Sequence, residues 1–106
     1  MTIQEEHLND AVNIAPHIHS VVFEDDKIRV LKVTVKPGDK AAMHWHPRNM
    51  NYILASGKLR FEKPDGTSSD VKLKEGQTTS SPEESSHAVT NIGDTTVETM
   101  QVELKD

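Results

Sequence analysis

The stretch Gly38-Asp39-Lys40-Ala41-Ala42-Met43-His44-Trp45-His46 decides the reading of this chain, together with Gly76-Gln77-Thr78-Thr79-Ser80-Ser81-Pro82-Glu83-Glu84-Ser85-Ser86-His87-Ala88-Val89-Thr90-Asn91. Side chains on a strand alternate with period two, so His44 and His46 share one face. In an unbroken register Ala42 shares that face, and Ala41, Met43 and Trp45 take the other. His87 stands on a separate strand, where Val89 and Asn91 share its face. Three imidazoles that meet inside a small β-structure make a metal site in a chain that has no cysteine.

Outward from these stretches the β-signal is steady. Val21-Val22-Phe23 reads as a strand and Glu24-Asp25-Asp26-Lys27 as a turn. From Ile28 to Val35 the apolar face slips from positions 28/30 to 31/33/35, which predicts a bulge near Val30-Leu31. Pro37-Gly38-Asp39 turns the chain into the His44-x-His46 strand. Met50-Asn51-Tyr52-Ile53-Leu54 follows, with Met50, Tyr52 and Leu54 sharing its inward face. Lys58-Leu59-Arg60-Phe61-Glu62 alternates, and Pro64-Asp65-Gly66 marks a turn. Segments 70–73, 77–80, 86–92 and 96–104 complete the set. Short strands between turn signals predict an all-β sandwich or barrel over residues 21–106. Residues 1–20 form an N-terminal arm, where Thr2 and Glu5 suit a capping box over one helical turn.

Composition narrows the function. The 106 residues make one domain with one modest core. Hydrophobic residues are 34% and aromatics 4%, so that core is thin and a homodimer is expected to cover what one subunit leaves open. With 12 basic and 17 acidic residues the net charge is −5. The chain carries no basic stripe, which argues against nucleic acid and anionic membranes as partners. Its acidic first residues lack the basic and apolar runs of a signal peptide, so the expected location is the cytoplasm.

The two quoted stretches resemble the two signature motifs of the cupin superfamily. Gly38, His44, His46 and Gly57 fit the first; Gly76, Pro82, His87 and Asn91 fit the second. Phe23-Glu24-Asp25-Asp26-Lys27-Ile28-Arg29-Val30-Leu31 and Asn91-Ile92-Gly93-Asp94-Thr95 are similar to the small single-domain cupins typified by the bacterial β-alanine degradation protein. The resemblance implies a double-stranded β-helix, a jelly-roll barrel with a metal in its mouth held by His44, His46 and His87. Two positions depart from the motifs. Glu84 replaces a glycine, and Met50 (or Asn51, one residue on) stands where the family has a glutamate.

A divalent ion held by three neutral imidazoles keeps its full charge and is a strong Lewis acid. Such a site suits Fe, Zn, Ni or Cu. Met50, Leu54 and Val89 are the expected pocket walls, and Met50 is alternatively a thioether ligand that would favour copper. Tyr52 and Asn91 are the candidate catalytic groups, to donate to or orient a small-molecule substrate; either is otherwise structural. Trp45 is expected at the subunit interface. His17 and His19 lie outside the motifs and are expected in solvent or at that contact. Glu83 and Glu84 suit a mobile acid-base role at the mouth or a solvated loop. The leading functional expectation is a mononuclear metalloenzyme, dioxygenase-like with iron and a hydrolase, lyase or isomerase with zinc or nickel. A non-catalytic ligand- or metal-binding module is the other class.

Overall fold

A computed structural model describes residues 2–106. Two short helices, α1 (Ile3–Glu6) and α2 (Ala11–Ile14), precede nine strands: β1 (His19–Glu24), β2 (Ile28–Val35), β3 (Lys40–His46), β4 (Asn49–Ala55), β5 (Gly57–Glu62), β6 (Ser68–Leu73), β7 (Thr78–Ser81), β8 (Ser85–Asn91) and β9 (Val97–Leu104). The strands form one sheet in the order β1-β2-β9-β4-β7 and another in the order β3-β8-β5-β6. The named strand pairs are antiparallel. The fold is all-β, a jelly roll of two facing sheets rather than a single closed barrel. Ile18, Val35, Ala41, Ile53, Leu59, Leu73, Val89 and Val97 form the buried apolar layer between them.

The slipped apolar face of β2 has a cause other than the expected bulge in that strand. Ladder β2–β9 runs unbroken from Ile28↔Leu104 to Val35↔Val97. Arg29 occupies an inward position there, fully buried, and that charge interrupts the apolar pattern. The irregularity lies across the ladder in β1, between Val21 and Phe23.

A second irregularity, in β3, matters more for the site. Between the pairs Ala41↔Val89 and His44↔His87 the ladder gains a residue on the β3 side. Ala41 and His44 therefore turn to the same buried face, and Ala42 is exposed beside Met43. The expected place of Ala42 beside the histidines is thus corrected, because a bulge shifts the alternation of the strand that carries it.

The arm is folded onto the sheets. Thr2 and Glu5 make the capping box of α1. Asp10 caps α2, its Oδ2 accepting from Val12 N at 3.0 Å. Helix α2 packs against both β1 and β3, the edges of the two sheets, and so closes that side of the sandwich. His7 stacks on Trp45 with ring centroids 3.8 Å apart, and Trp45 N donates to Asn9 O at 2.7 Å. The outward face of Trp45, expected at a subunit contact, is covered by the chain's own arm.

Candidate metal centre

His44 and His46 come from β3, and His87 sits directly across the ladder from His44 on β8. The ring of His87 stands 4.8 Å from that of His44 and 5.1 Å from that of His46, centroid to centroid. A fourth imidazole joins them. His19, at the start of β1, is buried with its ring 5.0 Å from His44 and 5.4 Å from His46. The ligand nitrogens of His19, His44 and His46 lie within 4.8 Å of one another. The expectation that His19 lies in solvent or at a subunit contact is therefore corrected. What brings it in is the meeting of two sheet edges under α2, a non-local event. His17 remains exposed, its Nε2 facing Lys40 O at 2.8 Å.

Three of the four rings, those of His19, His44 and His46, are oriented through Nδ1. His44 Nδ1 faces Ala42 O at 2.7 Å, His19 Nδ1 faces Ala15 O at 3.1 Å, and His46 Nδ1 faces Glu103 Oε2 at 2.7 Å. A carbonyl only accepts, so in His44 and His19 the Nδ1 carries the hydrogen and donates it. An ionised Glu103 fixes His46 in the same tautomer. Nε2 of His19, His44 and His46 then holds a free lone pair. Burial, reinforced by neighbouring imidazoles, pushes His19, His46 and His87 down to about 3; burial also lowers His44. The rings are neutral at neutral pH, the state a metal requires.

These residues fit a divalent transition ion. Buried His44 Nε2 has no hydrogen-bond partner among the described residues. A buried nitrogen lone pair without a partner is costly unless something occupies its direction. The ligand nitrogens of His19, His44 and His46, within 4.8 Å of one another, match the imidazole donor set of Zn, Cu, Fe and Ni sites.

Behind His46 lies a buried ionic chain. Glu103 Oε1 accepts from Arg29 Nε at 2.6 Å, and Asp10 takes the guanidinium through two bonds of 2.9 and 2.7 Å. All three side chains are fully buried. Burial raises Glu103 to about 7 against the pull of Arg29. The sequence carried a trace of this chain: Arg29 breaks an apolar face, and Glu103 lies on the inward face of β9 with Val97, Thr99 and Gln101. Sequence reasoning missed both.

The histidines line a cavity of about 290 Å³ whose walls include Phe61, Leu59, Val71 and Val89. Met50, Tyr52 and Leu54 are absent from it, which corrects their expected place. Strand β4 faces the cavity with Asn49, Asn51 and Ile53, which pair with Glu103, Gln101 and Thr99 on the inward face of β9. Met50 and Tyr52 are 46% and 47% exposed on the outer face. Of the two alternatives for the glutamate position, the cavity therefore receives Asn51, a neutral amide. Met50 is no ligand and Tyr52 no donor to a cavity substrate. Asn91 also lies outside the cavity; its Nδ2 donates to Val35 O and Thr95 O, both at 2.8 Å, and its Oδ1 accepts from Gly93 N at 2.9 Å. It fastens the turn after β8. Glu83 and Glu84 are exposed and line a separate surface groove with His7, Trp45 and Pro82.

The family model described as "Cupin domain" matches residues 31–103. The chain belongs to the cupin family. A cupin domain from Bordetella pertussis Tohama I is 27% identical, with a TM-score of 0.76 over 84% of this chain and 93% of that one. An uncharacterised double-stranded β-helix protein from Klebsiella pneumoniae is 24% identical, with a TM-score of 0.66 over 82% of this chain and 70% of that one. The RmlC-like cupin of Methanocaldococcus jannaschii shares the fold at 15% identity, with a TM-score of 0.66 over 82% of this chain and 78% of that one. No curated protein matches. In this cupin the histidine cluster unites the two motif strands with β1, which begins before the matched segment.

Proposed function

We propose that this cupin holds one divalent transition metal, Fe, Zn, Ni or Cu, through Nε2 of His19, His44 and His46, with His87 as a fourth imidazole, and acts as a metalloenzyme on a small organic substrate. The observation that carries the reading is the unpartnered Nε2 of His44 among neutral, converging imidazoles. When bound, the ion supplies Lewis acidity, with dioxygenase-type chemistry if it is iron and hydrolase, lyase or isomerase chemistry if it is zinc or nickel. The chain's own groups hold and orient: Glu103 fixes the ring of His46, the Ala42 and Ala15 carbonyls fix those of His44 and His19, and Phe61, Leu59 and Val71 exclude water from the cavity wall. Within the family, the stretch 23–31 and the ending 91–95 support placement with the small cupins typified by the β-alanine degradation protein.

The proposal includes a homodimer. Phe23, Val30, Val102 and Met50 lie in register across four strands on the outer face of the five-stranded sheet, and Phe23 and Met50 are about half exposed. Contiguous apolar area of this kind marks interaction surfaces. Elemental analysis of untagged protein tests the metal reading, with about one ion per chain expected. No ion after reconstitution overturns it and leaves a ligand-binding cupin. Iron directs assays to oxygen uptake, and zinc or nickel to hydration, lyase and isomerase reactions.

A further inference from the structure

Opposite the histidines, the cavity wall of β4 and β9 carries an amide chain whose polarity is fixed from one end. Asn49 Nδ2 donates to Pro47 O at 2.8 Å. A carbonyl oxygen only accepts, so Asn49 must turn its NH2 toward Pro47 and its Oδ1 toward the cavity wall. That Oδ1 receives Gln101 Nε2 at 3.3 Å and Asn51 Nδ2 at 3.2 Å. Gln101 thereby has its own orientation dictated: the NH2 is spent on Asn49, and Oε1 is left. That oxygen is buried without a partner among the described residues, on a side chain only 6% exposed that lines the histidine cavity. Flipping the Gln101 amide does not relieve it, because an oxygen would then face the oxygen of Asn49.

From this we infer that Gln101 Oε1 is the specificity acceptor of the cavity, and that the ligand is a neutral compact molecule with one O–H or N–H donor on an apolar body. The inference rests on the cavity being the ligand site of the reading above. Among the described residues, those lining the cavity include no Lys, Arg, Asp or Glu, so apart from an ion on the histidines a charged group on the ligand meets no countercharge in the wall. The body packs against Phe61, Leu59 and Val71. A volume of about 290 Å³ is roughly ten waters' worth of space, which suits a single ring or a short branched chain. An acceptor buried without a partner penalises a ligand that lacks the donor more than a matched pair rewards one that has it.

Phenol, anisole and benzoate serve as probes: one ring with a donor, with the donor methylated, and with a charge. Each is titrated into chelated protein, where no ion supplies a countercharge, and followed by amide chemical shifts. Phenol is expected to shift the amides of Gln101, Asn51 and Ile53 saturably and to bind about tenfold more tightly than anisole or benzoate. Gln101→Met is expected to abolish the phenol–anisole difference with anisole binding retained, which also shows that the variant is folded. Equal binding of phenol and anisole, tighter binding of benzoate, no saturable shift from phenol, or an unchanged preference in Gln101→Met each overturns the inference. Metal uptake on reconstitution is measured on an aliquot of each sample. Protein that takes up no ion on reconstitution yet prefers phenol keeps the inference and sinks the metal reading; protein that takes up about one ion per chain without the preference does the reverse.

Discussion

Replacing Glu103 by Gln changes one oxygen for an NH2 and should disable the chain behind His46. Glu103 faces Arg29 through Oε1, which accepts from Nε at 2.6 Å and pairs with Nη2, and faces His46 through Oε2, which accepts from Nδ1 at 2.7 Å. A glutamine has a single acceptor, so its NH2 must point at one of the two donors. Either a buried donor is left facing another, or His46 moves its hydrogen to Nε2 and gives up the tautomer that leaves Nε2 free. Removing one partner of a buried ion pair costs about 3–5 kcal/mol. Here Asp10 still holds Arg29 through two bonds, so the expected loss is smaller, about 2–3 kcal/mol. For a domain of this size that is a fall of roughly 10–20 °C in Tm. The assay is urea unfolding of chelated protein at pH 8, where Glu103, raised to about 7, is ionised in the wild type. Zinc affinity, measured by competition with a chromophoric chelator, should fall about 10–100-fold because the His46 ring loses its fixed tautomer. A loss below about 0.5 kcal/mol, within the range of surface substitutions, together with unchanged zinc affinity would refute the reasoning.

Stability of the metal-free protein should fall as pH drops below 6.5. His19, His46 and His87 are held down to about 3 in the fold, so the unfolded chain takes up protons first, at no more than about 4 kcal/mol per pH unit for the three together. Glu103, raised to about 7, acts in the opposite sense between about 4.5 and 7 and offsets about 1.4 kcal/mol per unit. A Tm that stays flat from pH 7 to pH 5 contradicts this. Gly57→Ala should destabilise the fold by about 1–3 kcal/mol, read by chemical unfolding, because a Cβ there would collide with Val97 Cγ2 and crowd Thr95 Oγ1; a neutral variant would show that β9 yields at no cost. Light scattering should give twice the mass of one chain for the wild type and one chain's mass for Met50→Lys; a monomeric wild type removes the dimer.

The fold was legible because its signals are local. Alternation in β5, the turn at Pro64-Asp65-Gly66 and the motif glycines each act within a few residues. The strand pair that carries His44, His46 and His87 was legible for the same reason. What could not be read is where the chain departs from alternation or pairs over long distances. One extra residue in β3 exposes Ala42. In β4 the usual polarity is inverted: the cavity takes amides while Met50 and Tyr52 cover the outer face, so an apolar-inward reading selects the wrong set. His19 and the pairing of Arg29 with Asp10 and Glu103 depend on contacts between segments far apart in sequence, which periodicity does not encode. Asn91 matched a motif and proved to be a turn fastener.

Calorimetric titration of zinc into chelated protein tests the central claim most directly, with wild type, His44→Ala, His46→Ala, His19→Ala and His17→Ala side by side. The account predicts one site per chain in the wild type and in His17→Ala, loss of the site in His44→Ala and His46→Ala, and weakened binding in His19→Ala. No binding by the wild type, or full affinity in His44→Ala, would contradict it.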